Sequence, residues 1–316
     1  TYLQIVGGFC ILNALIPICS SYLRAFGFSK EPLYASIIGN VINFCLNAFF
    51  LFVLHKGVAG VATATVISRI INLVIVVLLG AVLVKAKQHP ERESNREVMG
   101  QIIRIGLPSA CETAIYNVSM TLVIRFLNQM DAQGLNVTAR SYTMQITNFS
   151  YCVGAALAQA NAIMTGWRIG AKEYDACDRG TRKAAVIGVI VAVILETMFA
   201  LCSGWIMQLF SKDPQMVSLV GKLLAIDIVL EMGRVTNLVY GQALKTSGDA
   251  VFPVVMGACF MILCSVGGTY LFGIRLGLLA VGAYIGMTGD ECVRAVGMYL
   301  RWKSGKWKEK GLVKSR

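Results

Sequence analysis

Charge is scarce in this sequence. Asp, Glu, Lys and Arg make up 15% of its 316 residues, against roughly 25% in an ordinary soluble domain. Histidine is nearly absent, at two residues far apart, His55 and His89, which excludes a histidine-built metal centre. The ten cysteines form no C-x-x-C pair and sit mostly inside apolar runs, so neither a disulfide framework nor a zinc site is indicated. They read as small apolar core residues. No Gly-rich phosphate loop occurs, which argues against direct ATP hydrolysis. No nucleophile–base constellation stands out, so the chain is not expected to be an enzyme. The formal net charge of +12 does not point to nucleic acid, because the basic residues cluster at the ends of apolar segments.

Apolar length is what the chain has in abundance. Hydrophobic residues make up 56%, with a mean hydropathy of +0.65. Nine candidate spans run about Leu3–Leu23, Leu33–Leu54, Val58–Val84, Ile102–Leu127, Val137–Trp167, Ala184–Phe210, Met216–Leu244, Val251–Phe272 and Leu276–Leu300. Each is far longer than a barrel strand, so an all-α integral membrane protein is predicted. One alternate set of loops carries twenty Lys and Arg, the other only four. The positive-inside rule then places the C-terminus in the cytoplasm and, with nine crossings, the N-terminus outside.

Carboxylates inside such spans are costly and tend to face cavities. Glu112 lies in IIRIGLPSACETAIYNVSMTLVIRFL, on one helical face with Ser109, Tyr116 and Ser119. Asp227, Glu231 and Arg234 share another face, where Glu231 and Arg234 are also close enough to neutralise each other. A polar stripe of Ser141, Gln145, Asn148, Cys152 and Gln159 could line a water-filled path or bond adjacent helices. Asp290, Glu291 and Arg294 are expected to serve helix packing. Pro108 is a candidate kink in the Glu112 helix.

The stretch Leu23–Pro32 lines up with Leu244–Pro253, and Ala59-Gly60-Val61 with Val281-Gly282-Ala283, at separations of 221 and 222 residues. Ser68-Arg69 falls opposite Asp290-Glu291. An even number of helices separates the copies, which is a parallel repeat of two lobes. The predicted organisation is a partial first lobe of three helices (1–84), a polar connector (85–100), a six-helix second lobe (101–302) and a basic tail (303–316). Three helices of the first lobe are expected to be missing, and this chain alone is not expected to work as a transporter.

The turns YLRAFGFSKEP and LKTSGDAVFP, the helix start GVAGVATATVISR, and GLPSACETAIYN, LEMGRVTNLVYGQAL and DECVRAVGMYLRWKSGKW resemble the MATE (multidrug and toxic compound extrusion) transporters, bacterial type. The resemblance covers helices four to twelve of a twelve-helix, two-lobe bundle. It implies a plasma-membrane antiporter, monomeric and embedded in lipid, that exports small organic, mostly cationic compounds in exchange for protons or sodium ions, with no cofactor. A lipid-linked glycan flippase of the same superfamily, or a membrane fragment that does not transport, are the alternatives. Glu112, Tyr116, Asn117, Gln145, Asn148, Asp227, Glu231 and Arg234 are the candidate cation and substrate residues, with Glu112 and Glu231 the positions where sodium would sit.

Overall fold

A computed structural model of the chain describes residues 2–85, 95–131 and 134–310. Among these the structure is helical throughout, in two compact units, 1–92 and 93–316. The division falls inside the expected connector. That connector is shorter than predicted, because α4 (Gly57–Lys85) and α5 (Asn95–Met130) extend into it from both sides.

The first unit holds α1 (Tyr2–Gly8), α2 (Ile11–Ala25), α3 (Lys30–Ala48) and α4. The first expected span is therefore two helices with a break at Phe9 and Cys10. Leu23, Ala35, Val76 and Val84 form the buried centre, with Cys19 and Phe28 packed on it. Asn43 of α3 donates to Ser68 of α4 at 3.1 Å, tying the two helices by a side-chain bond.

The second unit holds α5, α6 (Leu135–Gly170), α7 (Tyr174–Leu201), the short α8 (Ser203–Met207), α9 (Pro214–Thr246), α10 (Val251–Phe260) and α11 (Leu279–Lys303). The sixth expected span starts ten residues early and ends at Leu201, with α8 taking up its tail. Helix α9 is the axis of this unit, packed by α6, α7 and α11. Its start is set by Asp213, whose side chain accepts from the Gln215 N–H at 3.0 Å, followed by Pro214 at the first helical position. Close approach is possible because Gly154 on α6 and Gly188 on α7 both face Val235. A Cβ on either glycine would lie 2.7 Å from a Val235 methyl.

Among the described residues, four segments are long and apolar enough to cross a membrane on length and composition: Lys30–Val53, Gly57–Val84, Tyr174–Leu201 and Val251–Arg275. The 36-residue α5 and α6 span about 54 Å each, well beyond a bilayer's apolar thickness of about 30 Å. They fall short on apolarity, as do α9 and α11, because their interior positions carry charge and hydroxyls. In α9 and α11 those charges point at each other and are buried, including Asp227, Glu231, Asp290 and Arg294.

The predicted repeat recurs bond for bond within each unit. Gly27 and Gly248 take φ of +89° and +90°. In each case the glycine N–H bonds back to the carbonyl three residues earlier, Arg24 or Lys245. The following N–H, Phe28 or Asp249, reaches Leu23 or Leu244. This is the Schellman helix ending, which needs a residue free to turn left-handed. Downstream, Leu54 and Lys56 bond to Phe49 and Phe50, and Leu276 and Leu278 bond to Leu271 and Phe272, all through wide π-type turns. Gly60 and Gly282 then pack against Phe50 and Phe272.

The basic tail is docked as far as it is described. Trp307 stacks on Trp302 with centroids 4.2 Å apart and donates to the Trp302 carbonyl at 3.0 Å. Trp302 donates to Asp178 of α7 at 2.9 Å. Asp249, in the turn after α9, accepts from Arg301 at 2.6 Å and Lys310 at 2.7 Å. Burial works to raise the Asp249 carboxyl, but the bonds from Arg301 and Lys310 outweigh it and hold it below the usual carboxylate range. Residues 311–316 lie outside the described residues.

Candidate functional site

A cavity of about 270 Å³ opens in the second unit, between α5, α6, α9, α10 and α11. Glu112, Thr113 and Tyr116 reach it from α5, and Tyr151 from α6. Helix α9 contributes Arg234, Asn237, Leu238, Gly241, Gln242 and Lys245. Glu291, Arg294 and Met298 close it from α11, with Pro253 and Met261 from the α10 segment.

The charges in this lining are paired into a chain. Lys245 Nζ lies 2.5 Å from Glu112 Oε2. Glu291 accepts from Arg294 at 2.9 Å and from Asn237 at 3.0 Å, and faces Arg234 at 3.7 Å. Arg294 is also forked onto Asp290 at 2.8 and 3.0 Å, and Ser265 donates to the same carboxylate at 2.9 Å. Asp290 is tied to Ser265 and Arg294, while Glu291 and Arg294, also expected to serve packing, line the cavity. Asp290 and Glu291 lie four and three residues before Arg294 on one helix, which puts both carboxylates within its reach.

Behind the cavity lies a second, acidic layer. Arg234 reaches back from the lining to Glu231 at 2.7 Å. Glu231 and Asp227 are both fully buried. Facing them from α7 is Glu196, with 0% exposure. Among the described residues, Asp227 Oδ2 and Glu231 Oε1 lack a hydrogen-bond partner, and neither Glu196 carboxyl oxygen has a well-formed hydrogen bond. Ser150 of α6 is the hydroxyl that faces Glu196. Glu196 was missed in the sequence, although its surroundings, VAVILETMFA, are the same signal that singles out Glu112.

The structure brings Glu112, Tyr116 and Arg234 together at the cavity and sets Asp227 and Glu231 one layer deeper. It does not bring Asn117, Gln145 or Asn148 to it. Asn117 is exposed and donates to the Thr113 carbonyl. Gln145 and Asn148 lie on the exposed face of α6 with Ser141, Cys152 and Gln159. Ser119 is buried away from the cavity. Lys245, in the last turn of α9, turns into the bundle and reaches Glu112.

The family model described as MatE matches residues 108–271. The chain is 33% identical over 318 residues to the uncharacterized transporter YisQ of Bacillus subtilis, covering 99% of this chain and 70% of the relative. It is 22% identical to the probable multidrug resistance protein NorM of Thermotoga maritima, covering 99% of this chain and 68% of that one. Among solved structures, a MATE crystal structure in the straight conformation matches with a TM-score of 0.85 at 19% identity, over 98% of this chain and 70% of the other. A MOP superfamily transporter from Pyrococcus furiosus, described as having a binding pocket of reverse polarity, matches with a TM-score of 0.87 at 18% identity, over 97% and 70%.

Proposed function

Because the chain belongs to the MATE family of transporters, in which members move solutes and are not enzymes, we propose that it takes part in proton-coupled antiport, exporting small organic cations through the cavity of the second lobe across the plasma membrane. The relatives named as probable multidrug resistance proteins support a drug-like cargo. The observation that carries ion coupling is the acidic layer behind the cavity. Three buried carboxylates, Glu196, Asp227 and Glu231, share this layer, where Glu231 is bonded to the guanidinium of Arg234 and Arg234 also faces Glu291. Like charges this close and dry need protons or a cation to compensate them. A proton needs one oxygen, and the layer offers several without a partner.

Arg234 links the layer to the cargo. It is bonded to Glu231 on the buried side and lines the cavity on the other. A proton on the layer leaves more of the guanidinium charge uncompensated toward the cavity. A unit charge about 8 Å away, at an effective dielectric near 20, is worth about 2 kcal/mol. Protonation therefore disfavours a cation in the cavity, and a bound cation favours proton release. Such differential binding of two occupants is what an exchange cycle requires. In this reading the cytoplasmic side is the end carrying the Trp307 tail.

The test is cargo-induced proton release. Adding ethidium to the purified protein in weakly buffered detergent should release protons into solution. Ethidium binding without release would remove the coupling.

A second reading rests on the lining itself, which holds three basic residues, Arg234, Lys245 and Arg294, against two acidic ones, Glu112 and Glu291. That polarity favours an anionic headgroup, as in a lipid-linked glycan flippase. Headgroup translocation in proteoliposomes without an ion gradient would support it over antiport.

A further inference from the structure

We propose that Lys245 is a tethered counter-ion for Glu112, and that cationic cargo enters the cavity by taking the place of Lys245 on that carboxylate. The inference rests on the reading of this cavity as the cargo site, and it names the residue that sets the cavity's charge preference.

The three cations of the lining differ in how firmly they are held. Arg294 is forked onto Asp290 and also reaches Glu291, and its side chain is 5% exposed. Arg234 is tied to Glu231 at 2.7 Å and faces Glu291. A planar guanidinium held at several points is costly to move. Lys245 is a compact charge on a flexible four-carbon stem, in the last turn of α9. Its ammonium meets Glu112 across 133 residues of sequence, and both side chains keep contact with the open cavity, at 19% and 17% exposure. Lys245 is therefore the cation that can swing away without breaking the rest of the network.

The two carboxylates of the lining differ in the same way. Glu291 accepts from Arg294 and Asn237 and faces Arg234. Glu112 is the carboxylate whose partner is the movable one. Gly257 leaves its flank narrow but open, since a Cβ there would sit 3.4 Å from Glu112 Oε1. Tyr116 and Tyr151 line the cavity, about 40% exposed, and offer aromatic faces to an organic cation. With Lys245 on Glu112 the lining repels cations. Once Lys245 leaves, cargo charge restores the balance.

The test uses size-matched probes, tetraphenylphosphonium and tetraphenylborate, bound at equilibrium to detergent-purified protein with no gradient imposed. Lys245→Met should tighten phosphonium binding at least tenfold and weaken borate binding, reversing the order of the two. Lys245→Arg, which keeps the charge, should not tighten phosphonium. Adding Glu112→Gln to Lys245→Met should erase the gain, and this uncharged pair also serves as the folded reference if the single variant is unstable. Unchanged or weaker phosphonium binding in a monodisperse Lys245→Met protein would overturn the inference while leaving the transport reading intact. Failure of both probes to bind any version would overturn the cargo cavity and the inference with it.

Discussion

Glu196→Gln is the substitution that most sharply separates a proton carrier from a structural carboxylate. Glu196 is fully buried, and among the described residues only the Ser150 hydroxyl is set against its carboxyl. Ionised and unpaired in such a place, it would cost several kcal/mol. Holding a proton, it is close in shape and polarity to a glutamine. The substitution should then change stability by no more than about 1 kcal/mol, the scale of one hydrogen bond. Its effect should fall on coupling. If cargo binding expels one proton from the layer, cargo affinity rises with pH, by at most about tenfold per pH unit per proton. Gln at 196 removes one titrating site, so the slope of log Kd against pH should flatten by up to one unit. The assay is ethidium binding by fluorescence anisotropy between pH 6 and 8, with thermal unfolding measured in parallel. An unchanged slope in a variant of wild-type stability would refute the role of Glu196. A loss of several kcal/mol would show a carboxylate that serves folding.

Gly27→Ala and Gly248→Ala should each cost about 1–2 kcal/mol, because both positions sit near φ +90°; equal thermal stability to wild type would contradict the shared helix ending. Gly188→Leu should destabilise strongly by colliding with Val235, and Val235→Ala should restore part of the loss, giving a favourable coupling in a double-mutant cycle. Asp249→Asn should lower the melting temperature by loosening Arg301 and Lys310 at the tail. The folded Asp249 carboxyl lies below its ordinary range, so this contribution is fully present above about pH 5 and fades as pH falls through the folded value. Trp fluorescence unfolding at pH 7 and pH 3 should show the variant's deficit shrinking at pH 3, and a deficit that grows there would contradict the pairing.

The repeat was legible because it is carried by backbone. Gly27 and Gly248 mark the same left-handed turn, and a glycine there is visible in any sequence. The long segments were legible from their apolar runs, and Glu112, Glu231 and Arg234 from their charge within those runs. Glu196 carried the same signal, but it stands thirteen residues beyond Lys183, the nearest charge on α7, with nothing beside it to draw the eye. The Lys245–Glu112 bond could not be read, since it depends on how α5 and α9 meet over a long stretch of chain. Asn117, Gln145 and Asn148 share helices with cavity residues but not their inward faces. A few tens of degrees of helix rotation separate lining from exposure, and periodicity alone does not fix that angle. The early start of α5 was hidden because NREVMG is polar, and polarity does not forbid a helix that projects beyond the bilayer.

The central claim is that protons and organic cations exchange through this lobe. Its most direct measurement is cargo accumulation in proteoliposomes containing the protein, with an acid lumen and neutral exterior. Ethidium should concentrate in the lumen above its external level while the gradient lasts, and leave when nigericin with potassium collapses it. A sodium gradient at equal pH should not drive accumulation. Entry that merely equilibrates, whatever the pH difference, would contradict the account.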